Sequence, residues 1–298
     1  MRKRSNIRST EGKRKLSTQI PASAQVDPAL LNAPPHPRLH LHLHPQFHSQ
    51  YLADDRDVTV YLPPGYEEHQ DRHYPVLYLH DGQNLFDPRT SFVPGRTWQI
   101  AETADAVIGR REAEPLIIVG IANTGERRLA EYTPTRDPKM GGGDADQYGK
   151  LLTRELLPFI RSNYRIQAGP EHTCLGGSSL GGLVSLYLGM QYPEIFGRLA
   201  ILSPSIWWHH KSIVGYVNER APALSRRPRI WLDAGDAEGR KTLADADLLN
   251  RRLKANGWRE GFDFHYEKVP GGTHDEAAWA QRVGPMLKFL FPETGATI

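Results

Sequence analysis

Six short apolar runs recur along the 298-residue chain, and each ends in a polar loop. They are PVLYLHDGQ (75–83), PLIIVGIAN (115–123), HTCLGGSS (172–179), LAILSPS (199–205), RIWLDAGDAEG (229–239) and DFHYEKVPGG (263–272). The first five are continuous and do not alternate between apolar and polar residues. Such strands suit a parallel sheet that helices cover on both faces. The sixth is less apolar and belongs near a sheet edge. Between the runs lie stretches with helical periodicity, around 98–108, 148–164, 182–191, 241–256 and 276–291. In the second of these, Tyr148, Leu151, Leu152, Leu156, Phe159 and Ile160 share one stripe. Strand and helix in repeated alternation predict a doubly wound α/β sheet.

Two earlier segments have a different rhythm. RLHLHLHPQFHSQYL alternates Leu with His from Leu39 to His44, and DVTVYLPPGY (57–66) closes in a Pro-Pro-Gly turn. The pair predicts two antiparallel strands ahead of the parallel set. His40, His42 and His44, with His48 nearby, could offer imidazoles to zinc or copper. An exposed strand face explains the pattern equally well, and no acidic or cysteine ligand completes a set. No metal is expected.

Composition narrows the remaining classes. No run approaches the roughly 18 apolar residues that a membrane-spanning helix needs. Residues 1–15 hold seven of the 37 Lys/Arg and one of the 34 Asp/Glu, leaving 30 basic and 33 acidic residues elsewhere. The net charge of +3 therefore belongs to the amino-terminal tail, and the body is slightly acidic. Residues 1–38 are expected to be a disordered, basic and Pro-rich tail, and 39–298 a single domain. The tail lacks the apolar core of a secretory leader. A single cysteine, Cys174, excludes an internal disulfide and favours a reducing compartment, so a cytoplasmic location is expected. No nucleic-acid partner is expected, and the oligomeric state is not legible.

The third run ends in GGSSLGG, which contains Gly-x-Ser-x-Gly as Gly177-Ser178-Ser179-Leu180-Gly181. A strand precedes it and an apolar helix follows, the setting of a nucleophile elbow. In such a turn the serine takes an unfavourable backbone conformation, and small residues two positions away let strand and helix approach. Only Ser179 has glycine at both −2 and +2. A serine hydroxyl needs a base and an orienting acid, here in loops after later strands. Of the 13 histidines, only His274 in GGTHDEAAW lies downstream in a loop at a strand's carboxyl end. For the acid, LDAGDAEG offers Asp236 and Glu238 in its loop, while Asp233 is still within the strand; spacing does not separate the first two. An oxyanion would take backbone N–H groups from Leu180 and from Gln83 in the loop after the first parallel strand.

These segments carry a resemblance. HDGQNLFD, EYTP, GGSSLGGLVSLYLGMQYPEIFG, LSPSIWW, LDAGDAEG and GGTHDEAAW, in that order, resemble the esterase branch of the α/β-hydrolases over about residues 39–292. That branch includes enterochelin and salmochelin esterases, feruloyl and acetylxylan esterases, S-formylglutathione hydrolase and mycolyltransferases. The resemblance implies an α/β-hydrolase fold and a cofactor-free serine esterase acting on a small-molecule ester, of siderophore type or an aryl or feruloyl ester. It places the acid three residues after Gly235, favouring Glu238 over Asp236, and it agrees with Gln83 as an oxyanion donor. It also puts Trp207 or Trp208 beside the acyl pocket, with Trp208 the expected substrate contact. Arg127, Arg128 and Glu131 lie near the site; Arg128 is the expected substrate contact, and an ion-pair network is the competing role for all three. Relatives of the enterochelin type carry a separate amino-terminal domain and those of the salmochelin type an export signal. Residues 1–38 resemble neither. A catalytically silent hydrolase fold, anchored by the basic tail and used for binding, is the rival expectation.

Overall fold

The computed structural model describes residues 40–293, so the expected tail over 1–38 lies outside the described residues. Eight strands form one sheet in the order β1-β2-β4-β3-β5-β6-β7-β8. They are β1 (His40–Phe47), β2 (Arg56–Leu62), β3 (Val76–His80), β4 (Ile117–Ile121), β5 (Thr173–Ser178), β6 (Arg198–Leu202), β7 (Arg229–Gly235) and β8 (Phe264–Val269). β1 and β2 run antiparallel to each other, β2 runs antiparallel to β4, and every later pairing is parallel. Each apolar run has become a strand, and the least apolar one, β8, is an edge. At the other edge is β1, where the Nε2 atom of His44 lies 2.6 Å from the hydroxyl of Tyr164.

The central strands are buried on both faces because neighbouring residues feed opposite cores. Val76 and Tyr78 of β3 join one hydrophobic cluster, Leu77 and Leu79 the other. Two helices cover one face, α1 (Ile100–Gly109) and α8 (Glu276–Leu290), which pack on each other. The opposite face is covered by a helical segment running through α3 (Ala145–Lys150), a π-helical stretch (Leu151–Leu156) and α4 (Leu157–Asn163), and by α5 (Leu180–Gln191), α6 (Ser212–Arg220) and α7 (Arg240–Ala255). A four-residue turn of helix, α2 (Arg128–Glu131), lies after β4. Helix α6 has no counterpart in the sequence reading. Its apolar residues, Ile213, Val214 and Val217, make too short a stripe to stand out among polar neighbours.

One buried polar group connects the core to the site. His80 ends β3 and is completely buried; its Nδ1 atom shares a 2.8 Å hydrogen bond with the Tyr148 hydroxyl, while Nε2 has no partner among the described residues. Burial pushes its pKa down to about 3, reinforced by the charge of Arg128 and opposed by that of Asp81. The folded protein therefore holds His80 neutral where the unfolded chain, with an ordinary value of 6.5, binds a proton. Between those two values the unfolded state carries more protons, so this group makes stability fall as pH falls. The expected slope is about 1.4 kcal/mol per pH unit below roughly pH 6. Urea midpoints of wild type and His80→Gln across that range check it: the variant should lose this part of the slope.

Candidate active site

β5 delivers Ser179 at its carboxyl end. Ser179 has φ 58° and ψ −121°, a conformation that costs a non-glycine residue about 1–3 kcal/mol. Backbone hydrogen bonds hold it there. Its N–H donates to the Leu202 carbonyl at 3.0 Å, and its carbonyl accepts from the N–H groups of Leu183 and Ser205. A Cβ on Gly177 would lie 3.1 Å from the backbone of Gly181, and one on Gly181 would lie 3.2 Å from the Cβ of His80. The two glycines thus permit the close crossing of strand and helix that the turn requires. Ser178 is buried within β5, whereas Ser179 is half-exposed. The Oγ atom of Ser179 lies 3.1 Å from that of Ser205.

The loop before α8 brings in His274. The next residue, Asp275, caps the helix by accepting from the N–H groups of Ala277 and Ala278 at 3.0 and 3.1 Å. The His274 ring stands edge-on to Trp279, with centroids 5.0 Å apart. Its Nδ1 atom lies 2.8 Å from Oε2 of Glu238, whose side chain is fully buried while that of His274 is 41% exposed. The other oxygen of Glu238 accepts from the Ser203 hydroxyl, from the Gly235 N–H at 2.7 Å and from Nη2 of Arg282 at 3.2 Å. Burial alone would raise the pKa of Glu238. The hydrogen bonds from His274, Ser203 and Gly235 outweigh it and hold the carboxyl below its ordinary value. Asp236, the alternative acid, is exposed and accepts from the Gly271 N–H at 2.7 Å. The structure joins His274 to Glu238 and leaves Asp236 apart.

Beneath this pair lies a network with no counterpart in the sequence reading. Nη1 of Arg282 donates to Oδ1 of Asp233 at 2.8 Å and to the Ser203 hydroxyl at 2.7 Å, and Nη2 donates to the Thr273 carbonyl at 3.1 Å. Arg282 and Asp233 are both buried. Burial pushes the pKa of Asp233 up to about 6 against the pull of Arg282. A signal for this existed: Arg282 sits on the apolar stripe of α8 with Trp279, Val283 and Met286.

Ser179, His274, Gln83 and Arg128 all line one cavity of about 430 Å³, with Phe92, Val93 and Trp279 as its apolar wall. Gln83 belongs to a turn pressed onto β4, where a Cβ on Gly82 would come within 2.5 Å of the backbone of Gly120 and Ile121. The side-chain oxygen of Gln83 accepts from the Asn123 N–H at 3.1 Å, and its carbonyl accepts from Thr90 at 2.8 Å. Arg128 donates from Nε and Nη2 to the two oxygens of Asp81, each at 2.7 Å. Its neighbours are ion pairs: Arg127 with Asp54 at 2.9 Å, and Glu131 with the buried Arg56 at 2.8 Å.

Trp208 requires a correction. It is fully buried, and its indole N–H donates to the carbonyl of Thr135 at 3.1 Å, so it is a core residue and does not line the cavity. Trp207 is the exposed member of the pair, at 41%, and it does not line the cavity either. Adjacent side chains here point opposite ways, and the apolar sequence SIWW does not say which faces inward. Among the described residues no group of three or more His, Cys, Asp or Glu is arranged to hold a metal ion. Nor is any helix among them long and apolar enough to cross a membrane.

The chain is similar to known proteins in sequence and in fold. The chain matches the Esterase family, described as "Putative esterase", over residues 49–290. The uncharacterized protein YbbA of Bacillus subtilis is 25% identical over 264 residues, covering 84% of this chain and 98% of YbbA. Iron(III) salmochelin esterase of Escherichia coli O6:H1 is 32% identical over 238 residues, or 75% of this chain, which spans about half (51%) of that protein. Among solved structures, an IroE-like serine hydrolase from Shewanella oneidensis superposes with a TM-score of 0.69 at 22% identity, over 85% of this chain and 80% of that one. The BES protein from Bacillus cereus does so at 0.68 and 22%, over 86% and 95%. The mostly parallel sheet with its antiparallel amino-terminal pair superposes on both of these solved structures over most of the chain, and the match over residues 49–290 makes this chain a member of the Esterase family, whose chemistry is ester hydrolysis.

Proposed function

We propose that the protein is a serine hydrolase that cleaves carboxylic esters through an acyl-enzyme, with Ser179 as nucleophile, His274 as base and Glu238 as the orienting acid. One observation carries this reading. A serine held at φ 58° after β5 shares a cavity with an imidazole whose Nδ1 is engaged by a buried carboxylate at 2.8 Å. That hydrogen bond leaves Nε2 as the nitrogen available for proton transfer.

In the proposed sequence, Oγ of Ser179 leaves Ser205 and attacks the ester carbonyl while its proton passes to Nε2 of His274. The oxyanion is held by the backbone amides of Gln83 and Leu180. Leu180 is the first residue of α5, where N–H groups have no intrahelical partner. The proton then moves to the alkoxy oxygen, the ester C–O bond breaks and the alcohol departs. Water then adds to the acyl carbonyl, giving up a proton to His274, and that proton passes to Oγ of Ser179 as the acyl–Oγ bond breaks and the carboxylic acid is released. Every step uses side chains and amides of this chain, without a cofactor. The buried charges help. Asp233 and Glu238 face a single guanidinium, Arg282, so the network carries one excess negative charge that an imidazolium at His274 would balance.

For the substrate we propose a small ester with an aromatic acyl group, of the aryl, feruloyl or catecholate-siderophore kind. Phe92, Val93 and Trp279 offer an apolar wall of suitable size. Arg128 lines the cavity and Asp81 leaves its Nη1 unengaged, which supports a role for that nitrogen in meeting an oxygen substituent. The relatives named as feruloyl and enterobactin esterases support this choice. A panel of short aryl esters, feruloyl esters, acetylated sugars and catecholate lactones, compared by kcat/KM, decides among them.

Three outcomes are expected. Ser179→Ala and His274→Ala should each lower p-nitrophenyl acetate turnover by about 10³–10⁶-fold, with unchanged circular dichroism. Rates equal to wild type would instead mark a silent, binding-only hydrolase fold. Glu238→Gln should cost about 10²–10⁴ in kcat, and Asp236→Asn far less; the opposite ranking would move the acid to Asp236. Because glycine tolerates the backbone of residue 179, Ser179→Gly should be about 1 kcal/mol more stable than Ser179→Ala, read as a higher urea midpoint.

A further inference from the structure

A larger cleft, of about 630 Å³, lies at the opposite end of the parallel strands from Ser179. β6 and β7 begin there, at Arg198 and Arg229, whereas the ester cavity lies beyond the carboxyl ends of β3 and β5. Four arginines line the cleft: Arg198, Arg226, Arg227 and Arg229. Two carboxylates, Glu171 and Asp263, also line it, but they do not neutralise the four. Glu171 pairs with Arg226 at 2.8 Å, and Arg198 pairs with Glu114 at 3.0 Å. Asp263 turns Oδ1 to the backbone N–H of Arg259 at 2.6 Å.

Among the described residues, neither Arg227 nor Arg229 has a carboxylate within 4.0 Å. Both lie against aromatic rings instead. Arg229 is 4.3 Å from the centroid of Phe289, and Arg227 is 6.0 Å from that of Trp258. Nε of Arg229 is buried without a hydrogen-bond partner among the described residues. Burial and the positive charge of Arg198 both pull the pKa of Arg229 down, only partly offset by Asp263. Two planar guanidinium forks at the wall of a concave cleft, neither paired with a carboxylate among the described residues, match the geometry and charge of phosphate oxygens.

We propose that this cleft is a second binding site, separate from the ester cavity, for a small phosphate- or diphosphate-bearing molecule. Arg227 and Arg229 take the phosphate oxygens, and the exposed ring of Phe262 flanks the rest of the ligand. The site does not depend on the ester chemistry, because the two cavities share no lining residue.

Titration calorimetry of the full chain with pyrophosphate, in about 150 mM sodium chloride to screen loose surface adsorption, tests this. Wild type should show saturable one-to-one binding, and Ser179→Ala should bind as wild type does. Arg227→Gln and Arg229→Gln should each weaken binding by at least about 10-fold. Arg227 is exposed, so its variant should keep the wild-type melting temperature and rate of p-nitrophenyl acetate turnover. A loss of affinity in either arginine variant supports the site. No saturable heat with wild type, or wild-type affinity in both variants, overturns it.

Discussion

One buried guanidinium ties together the parts of this site. Arg282 projects from α8 into a space where water cannot solvate it, and it is acceptable there because four acceptors surround its two terminal nitrogens. It reaches Asp233 in β7, Ser203 just after β6, Glu238 in the turn after β7 and the carbonyl of Thr273 beside His274. Breaking a buried pair of this kind costs about 3–5 kcal/mol, because the remaining charge stays without compensation. The same contacts fix where Glu238 sits, and Glu238 fixes His274. Stability and site geometry therefore rest on a single side chain that does not itself line the cavity.

The second constraint is steric. Ser179 stays in an unfavourable backbone conformation because Leu202 and Ser205 hold both of its peptide groups, and glycines on either side leave room for β5 and α5 to cross. His80 fills the space behind that crossing, with its Cβ only 3.2 Å from where side chains on Gly177 and Gly181 would begin. The core packs against the turn so tightly that relaxing Ser179 would mean moving β3 as well. Local strain of this type persists only where the surroundings over-determine it.

The parts of this architecture legible in the sequence are those written in local patterns. The five continuous apolar runs suit doubly covered strands, and Ser179 is distinguishable from Ser178 by its flanking glycines. His274 stood out by its place in a loop before the last helix. What could not be read depends on contacts between distant positions. Ser203 and Arg282 are 79 residues apart, and Asp233, which lies within a strand, meets Arg282 across 49. Glu238 and Asp236 are indistinguishable by spacing, since only the three-dimensional path of the turn decides which one faces an imidazole. The Trp207–Trp208 pair failed for a similar reason: the backbone after Ser205 bends through an irregular turn with no period from which to infer direction.

The central claim is that the hydroxyl of Ser179 is the atom acylated during turnover. The most direct test treats the protein with an active-site sulfonyl fluoride and locates the adduct by peptide mass mapping. A single adduct on the peptide that contains Ser179, absent when His274 is replaced by Ala, is the result predicted here. An adduct on another residue accompanied by loss of activity, or full activity in a protein modified at Ser179, would contradict it.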